Sequence, residues 1–158
     1  MSNQSQQGRI RRMTAADLDR VIEMAAALEH APHWPRSAYV VALDPDAVPR
    51  RVALVAAEAE PDGVAGFAIA SLIPPQAELE SIAVTAASQR RGVARRLFAA
   101  LLAEFEPHGI TEVILEVRAS NQPALELYSS IGFTETARRP RYYVDPVEDA
   151  ILLALRIG

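Results

Sequence analysis

The sequence predicts an α/β fold, a single mixed sheet of about seven strands with helices on both faces. Two observations support this prediction. Residues 76–105 read as a buried strand, a short turn containing arginine and glycine, and a long helix in which Val93, Leu97, Leu101 and Phe105 recur at four-residue spacing. That spacing gives the helix one wide apolar face. The remaining strand and helix patterns alternate along the chain, as a sheet covered by helices requires.

The first third of the chain is predicted to contribute one strand and two helices. Residues 9–13 form a short strand pattern. Thr14 can cap the following helix, and Asp17 is favourable in its first turn. Apolar spacing continues this helix to about residue 29, where the run HAPHWP interrupts it. A second helix is expected over roughly residues 36–43.

The rest of the chain alternates between strand and helix patterns. A Pro-Asp-Gly turn joins two strands into a β-hairpin. Asn121 and Pro123 begin the last helix, and Gly132 suits its C-terminal end. The predicted elements are strands over residues 51–58, 64–72, 79–84, 111–118, 133–137 and 149–157 and helices over residues 93–105 and 121–131.

Length and composition predict a folded domain without a secretion signal or a membrane span. At 158 residues, half of them apolar, the chain is long enough to close one core. We expect residues 1–8 to be a disordered N-terminal tail and residues 9–158 to form a single domain. The N-terminus lacks the apolar core of a signal peptide, and no apolar run approaches the ~20 residues that cross a bilayer. A cytoplasmic protein without a membrane partner is therefore expected.

The charged and sulfur-containing residues exclude several kinds of function. A formal net charge of −4 gives no reason to expect nucleic-acid binding. The chain has no cysteine, which rules out disulfides, thiolate metal sites and a cysteine nucleophile. His30, His33 and His108 have no metal-like spacing with carboxylates, so we interpret them as surface residues and expect no metal.

The turn before the long helix is a candidate phosphate site. It runs from Gln89 through Arg90, Arg91 and Gly92 to Ala94. Glycine allows close backbone approach, and the first amides of a helix have no partners of their own, so they can bind an anion. The chain has no lysine, which excludes a P-loop, and the dinucleotide fingerprint lacks its first two glycines. An ordinary strand-to-helix turn with solvated arginines remains the alternative.

The lettering of two segments resembles a known family. Q-x-x-G-x-A after a strand ending in I-A-V resembles the acetyl-CoA motif of the GCN5-related N-acetyltransferases (GNAT). LEVRASNQPALELYSSIGF, continuing to EDAILLAL, is similar to the bacterial ribosomal-protein-alanine N-acetyltransferases, which acetylate a protein's N-terminal α-amine. The resemblance covers roughly residues 76–155. It implies the GNAT fold, with the sheet splayed at its centre, acetyl-CoA as co-substrate, and a peptide or protein N-terminus as acceptor.

The resemblance also implies where acetyl-CoA binds. The backbone of the central strand would hold the pantetheine arm as though it were an added strand, and the turn would hold the pyrophosphate. Ala94 stands where many members have glycine, a common departure. The predicted cofactor-binding residues are Ile82, Ala83, Val84, Gln89, Arg90, Arg91, Gly92, Val93, Ala94, Arg95, Asn121 and Tyr128.

Acetyl transfer needs a neutral amine, a polarised thioester and a proton for the departing thiolate. Glu116 is the candidate base. It lies in an otherwise apolar strand beside the splay, where burial would raise the pKa of a carboxyl group towards the value that a general base needs. The resemblance gives the glutamate of LEVR the same role. A structural pair with Arg118 or Arg141 is the alternative. Glu78 and Glu80 on the central strand are the other candidates.

Tyr128 is the candidate acid. Its position four residues after Ala124 places it near the core-facing side of its helix, and the resemblance implies that it protonates the leaving thiolate. A packed tyrosine with no catalytic role is the alternative. Asn121 would cap this helix and, by resemblance, also bond the CoA arm.

The acceptor side departs from the family pattern. Tyr142 and Tyr143 are expected to line a peptide groove, and Trp34 either forms another wall or lies partly exposed between two helices. The chain inserts Pro140-Arg141 and has Val144 where the subfamily has proline. Two other functions therefore stay open: acetylation of a small-molecule amine, and a non-catalytic acyl-CoA-binding module.

Overall fold

The computed structural model describes residues 9–28, 33–58, 63–89 and 91–158. The predicted disordered tail, residues 1–8, lies outside this part of the chain. The described residues form one seven-stranded sheet in the order β1-β2-β3-β4-β5-β7-β6. Its elements are β1 Arg9–Arg12, α1 Leu18–Ala27, α2 Arg36–Leu43, β2 Arg50–Ala57, β3 Val64–Ile73, β4 Gln76–Val84, α3 Val93–Phe105, β5 Glu112–Arg118, α4 Gln122–Ile131, β6 Thr134–Val144 and β7 Val147–Arg156.

The sheet is mixed, and it parts at its centre. Strands β1 to β4 pair antiparallel, as do β5, β7 and β6, whereas β4 and β5 are parallel. The parallel ladder joins only residues 76–78 to residues 112–114. Strand β4 continues to Val84 and β5 to Arg118 without pairing to each other, so the two strands separate. The predicted mixed, splayed sheet is confirmed.

Two apolar cores cover the two faces of the sheet. On one face α3 and α4 pack against the central strands, with Leu97, Leu101 and Phe105 of α3 fully buried. On the other face α1 and α2 pack over β2 and β3 around Phe67 and Tyr39. The predicted placement of helices on both faces is therefore confirmed. The helical spacing in α3 is what buries its wide apolar face.

A β-bulge interrupts the central strand where the sheet begins to part. Ile69 of β3 lies opposite Ser81, and Ala70 lies opposite Leu79, so Glu80 has no partner of its own in the ladder. The extra residue changes the side on which later side chains point. Leu79 packs in the core beneath α3, whereas Ala83 packs in the core beneath α1 and α2.

The last hairpin is longer than the sequence predicts. Strand β6 was expected to end at residue 137 and β7 to begin at residue 149, but the strands extend to Val144 and from Val147. Pro140 reads as a strand breaker, yet it falls in a bulge where Pro140, Arg141 and Tyr142 together oppose Asp149. A proline costs no ladder hydrogen bond at such a place, because the ladder is already interrupted there.

The first helix begins as predicted, and a buried ion pair secures it. The main-chain N–H of Thr14 donates to Asp17 Oδ2 at 2.8 Å. Arg11 donates to both carboxylate oxygens of Asp17, each at 2.8 Å, and the Asp17 side chain is only 8% exposed. These bonds, above all those from Arg11, hold the pKa of Asp17 below its ordinary value, although burial acts in the opposite direction.

Asp17→Asn is expected to lower the free energy of unfolding by about 1–3 kcal/mol, since it removes charge-assisted bonds from a buried group. The folded-state pKa of Asp17 is the lower one, so its contribution is present above the unfolded carboxyl pKa and is lost as pH falls through the folded value. Urea titrations at pH 7 and at acid pH measure both effects. Asp19→Asn is the control, because the Asp19 side chain is 90% exposed. Equal losses for the two variants would contradict the prediction.

In the described residues, no helix has both the length and the apolar character required to cross a membrane.

Candidate active site

The parted strands leave main-chain groups of β4 without a sheet neighbour. Ile82, Ala83 and Val84 pair with β3 on one side, and β5 does not reach them on the other. Their N–H and C=O groups on the open side can bond an extended ligand in the way that a sheet edge accepts an added strand. This is the placement required of the predicted pantetheine-binding residues.

The start of α3 follows the end of β4 after a short turn. Gly92 precedes the helix with φ 78° and ψ 11°, a left-handed conformation that glycine adopts without strain. The first helical main-chain bond is from Arg96 N–H to the Gly92 carbonyl at 3.0 Å. The amides of Val93, Ala94 and Arg95 lie in the first turn of the helix, the part of a helix that can bind an anion. A Cβ at Gly92 would meet open space, so it is the positive φ that calls for glycine here.

The polar side chains of this turn have different surroundings. Gln89 Nε2 donates to the carbonyl of Val84 at 3.2 Å, which ties the turn to the end of β4. Arg91 is exposed. Arg95 donates to the Ser130 hydroxyl of α4, so its guanidinium links the two helices. Arg90, the remaining predicted residue of the turn, lies outside the described residues.

Helix α4 positions Tyr128 beneath the splay. Asn121 caps the helix by accepting a hydrogen bond from Ala124 N–H at 3.2 Å. Tyr128 is 6% exposed and packs edge-on against Phe133, at 5.5 Å between ring centroids. Burial raises the pKa of Tyr128 far above that of a free phenol, so the hydroxyl keeps its proton. Within the described residues, no hydrogen bond engages that hydroxyl.

Glu116 lies on the opposite side of the sheet from Tyr128. Its neighbours Leu115 and Val117 point into the core beneath α3 and α4, so Glu116 points away from that core. Its side chain is 31% exposed, which is less burial than the sequence predicts. The alternative to a catalytic role, a pair with Arg118 or Arg141, is not what the described residues form: Glu116 Oε1 lies 3.9 Å from Arg139 Nη1, and Arg118 pairs with Glu148.

Two further carboxylates share the face of Glu116. Glu78 alternates with the buried Ala77 and Leu79, so it points the same way as Glu116. Burial, and then repulsion from Glu80 and Glu116, raises the pKa of Glu78, while the nearby Arg51 guanidinium opposes the shift. The three glutamates named as candidate bases therefore form one acidic patch at the point where the sheet opens.

The bulge of β6 brings two tyrosines beside this patch. Arg141 adopts φ 53° in the bulge, and its N–H donates to Asp149 Oδ1 at 3.1 Å. Tyr142 remains 47% exposed, and the Arg139 guanidinium lies 5.4 Å from its ring centroid. Tyr143 is half-buried, with the Arg118 guanidinium 4.1 Å from its ring centroid.

Tyr143 is held by charged neighbours as well as by packing. Its cation partner Arg118 also pairs with Glu148, at 3.3 Å between Nη1 and Oε2. Burial raises the pKa of Tyr143, with the Glu116 charge as the next cause. The field of Glu116 thus reaches the Tyr143 hydroxyl, and the two groups line the same side of the sheet.

The opening between β4 and β5 is what connects the two candidate catalytic groups. Glu116 faces the side that carries Glu78 and Tyr143, whereas Tyr128 belongs to the core with α3. A thioester lying in the opening would have the carboxylate on one side and the phenol on the other. The arrangement can therefore take a proton from an attacking group on one face and stabilise a leaving group on the other.

Two arginines of this site were not predicted. Arg51 of β2 pairs with Glu80, and Arg139 of β6 lies against Glu116. Both contacts depend on strand register and on bulges, which no short-range pattern in the sequence reveals. A search for charged residues at inward positions of otherwise apolar strands would have found Arg51, because Val52 to Ala56 are all buried.

The remaining predicted residues lie away from the opening. Trp34 is half-buried and packs against Tyr39, at 5.3 Å between ring centroids. His33 is exposed and His108 half-buried, while His30 falls outside the described residues. Across the part of the chain that is described, no group of three or more histidine, aspartate or glutamate side chains is arranged to hold a metal ion.

Comparisons with known proteins agree with this geometry. A model described as the acetyltransferase (GNAT) family matches residues 18–133. The chain is 45% identical over 99 residues, 61% of its length and 67% of the relative's, to a [ribosomal protein bS18]-alanine N-acetyltransferase of Salmonella typhimurium. The sequence match thus spans about two thirds of that relative.

Solved structures share the fold over nearly the whole chain. The crystal structure of the ribosomal-protein-S18-alanine N-acetyltransferase from Escherichia coli matches with a TM-score of 0.79 and 32% identity, covering 95% of this chain and 94% of that one. Arabidopsis thaliana NAA60 in complex with acetyl-CoA matches with a TM-score of 0.83 at 18% identity, covering 94% of this chain and 98% of that one. The predicted GNAT fold is confirmed, and the chain belongs to the acetyltransferase (GNAT) family.

Proposed function

We propose that the protein transfers the acetyl group of acetyl-CoA to the N-terminal α-amine of a protein, as ribosomal-protein-alanine N-acetyltransferases do. The similarity to the Salmonella and Escherichia coli enzymes supports this substrate class. The NAA60 complex supports acetyl-CoA as the acetyl donor. In this chain the open edge of β4 and the N-terminal turn of α3 suit the donor's amide arm and its phosphates.

The open acidic face beside Glu116 is the observation that carries the choice of acceptor. Glu78 and Glu116 lie on a face that is exposed on the β5 side, with Tyr142 and Tyr143 along its edge. An enclosed pocket would favour a small amine. An open groove lined by carboxylates and aromatic rings instead suits an extended peptide whose terminus carries a positive charge.

The chemistry follows from the two sides of the sheet. Glu116 accepts a proton from the amine, directly or through a water, so that the nitrogen lone pair can attack the thioester carbon. A C–N bond forms and the C–S bond breaks. On the opposite side, the Tyr128 hydroxyl donates a hydrogen bond to the sulfur as negative charge develops on it. The products are the acetylated amine and CoA.

An α-amine suits a carboxylate base better than a lysine side chain does. With a pKa near 8, about a tenth of an α-amine is neutral at pH 7, whereas a lysine amine near 10.4 is neutral to less than about one part in a thousand. A carboxylate at this partly open site therefore needs to remove a proton from only a moderately basic amine when the acceptor is a peptide terminus.

A substrate screen with mass detection of product tests the proposal. The set contains a peptide with a free N-terminal alanine, the same peptide with a blocked N-terminus and one internal lysine, free alanine and a polyamine. The free-terminus peptide is expected to react fastest, by roughly a hundredfold over the lysine peptide if neutral amine fraction decides the rate. Faster acetylation of a free amine would overturn the peptide assignment. Binding of acetyl-CoA without any turnover would favour the non-catalytic module.

A further inference from the structure

Arg51 and Glu80 form a two-bond ion pair that spans three strands. Arg51 Nε donates to Glu80 Oε1 at 2.7 Å and Nη2 to Oε2 at 3.3 Å. The two side chains are only 19% and 20% exposed. Arg51 of β2 lies opposite Ser71 of β3, which lies opposite Glu78 of β4. The guanidinium therefore extends over β3 to reach a carboxylate beside Glu78.

The contact lies at the bulge of β4. In a regular strand Glu78 and Glu80 would alternate with buried residues and lie two positions apart on the same face. Glu80 is instead the extra residue of the bulge, between Leu79 and Ser81, and it turns towards Arg51. Bulges re-aim side chains in this way beside functional sites.

Without Arg51, the positive charge near the three carboxylates of the patch would be too small to balance their negative charge. Glu78 makes no hydrogen bond or ion pair among the described residues, and the Arg139 contact of Glu116 is long, at 3.9 Å, with Arg139 54% exposed. Glu80 and Glu116 disfavour the charged form of Glu78, and the Arg51 charge opposes that effect. Arg51 is held on this face by two hydrogen bonds to Glu80.

We propose that Arg51 is a positioning residue of the acceptor site, acting through Glu80. It neutralises and fixes Glu80, which leaves Glu78 and Glu116 as the carboxylates that meet the incoming amine. The inference rests on the proposed acetylation of an amine and adds the group that keeps the acidic patch ionised. It holds whichever of Glu78 and Glu116 takes the proton.

The proposal predicts a change in the pH profile with a defined sign. The charged groups that act on Glu78 are Glu80 on its own strand, Glu116 on β5 and Arg51 on β2, and Arg139 of β6 acts on Glu116. Removing the Arg51 charge leaves the charges of Glu80 and Glu116 unopposed at Glu78, so Glu78 binds a proton more readily. The acidic limb of kcat/KM then moves to higher pH.

The experiment compares Arg51→Gln, Glu80→Gln and the double variant, with a peptide bearing a free N-terminal alanine as acceptor. Arg51→Gln is expected to move the acidic limb of kcat/KM up by roughly half a unit to one unit, which lowers kcat/KM by about three- to tenfold at pH values below the wild-type midpoint of that limb. The double variant is expected to return to within about threefold of the wild type, since both charges are gone. Arg12→Gln and Arg12→Gln/Glu104→Gln form the matched control, an arginine–glutamate pair between β1 and α3.

The outcomes separate this inference from the proposed function. A double variant as impaired as Arg51→Gln, with an unmoved limb, would overturn the positioning role and leave acetyl transfer standing. A wild type that binds acetyl-CoA but acetylates no amine would overturn both. Should Arg51→Gln fail to fold, Arg51→Lys keeps the charge but not the two-bond geometry. Its limb is expected to move by less than about half a pH unit; a shift of one full unit in that variant would contradict the proposal.

Discussion

Replacing Glu116 by glutamine is expected to lower kcat/KM for a peptide acceptor at neutral pH by roughly 10²–10⁴-fold. Glutamine keeps the size of the side chain but cannot accept a proton. Glu116 is the partly exposed carboxylate of β5 beside the opened sheet, with Arg139 Nη1 3.9 Å from its Oε1. Initial rates measured by release of the CoA thiol give the effect. Binding of acetyl-CoA, measured by calorimetry, is expected to stay within about threefold, since the donor lies along β4 and α3.

The pH dependence of this loss distinguishes a base from a residue that merely shapes the groove. Above the amine pKa near 8 the acceptor is already neutral, so the deficit of Glu116→Gln is expected to shrink as pH rises. Glu112→Gln is the matched control, because it alters the same face of the same strand at its paired end, where Glu112 accepts a bond from Gln76. Normal turnover by Glu116→Gln would move the base to Glu78 or Glu80.

Short-range patterns predicted the parts of the site that are local in sequence. The spacing of Leu97 and Leu101 gave α3 its buried face, and the turn before it required a left-handed residue that Gly92 supplies. Asn121 caps α4 as its position before Pro123 indicates. Each of these features is decided within one or two helical turns, so the sequence carries it directly.

Contacts between distant strands could not be predicted, because they depend on register. The partners considered for Glu116 as an alternative to catalysis were Arg118 and Arg141, yet β6 brings Arg139 to it. Arg51 of β2 meets Glu80 of β4 across β3, a contact that depends on the pairing of three strands. The bulge in β4 reverses the side of the residues after it, so alternation counted from Leu79 misplaces Ala83.

The strands of the final hairpin are longer than the sequence predicts, for a related reason. Pro140 and the turn at Asp145-Pro146 read as loop signals, whereas both lie where the ladder needs no N–H from them. The same bulge sets Arg139 and Tyr142 beside the acidic patch. This hairpin is therefore the part of the candidate site that the sequence patterns described least well.

Tyr128→Phe is expected to lower kcat by roughly 10²–10³-fold, the usual cost of losing one donor to a developing anion. Tyr128 is 6% exposed, and burial keeps its hydroxyl protonated. A thiol pKa near 8.5 lies well below that of this phenol, so full transfer of its proton is unfavourable. We therefore expect the hydroxyl to act chiefly by donating a hydrogen bond to the sulfur as the C–S bond breaks. Single-turnover rates of acetyl-peptide formation measure this step without product release.

The control for Tyr128→Phe is a second buried hydroxyl on the far side of the sheet. Tyr39 is 1% exposed and its hydroxyl has no partner among the described residues, so Tyr39→Phe is expected to leave kcat unchanged. Both variants keep their rings, so the melting temperatures and the affinity for acetyl-CoA are expected to stay close to wild type. An equal loss of kcat in both variants would indicate a packing effect. Unchanged turnover in Tyr128→Phe would rule out Tyr128 as the group that assists the leaving sulfur.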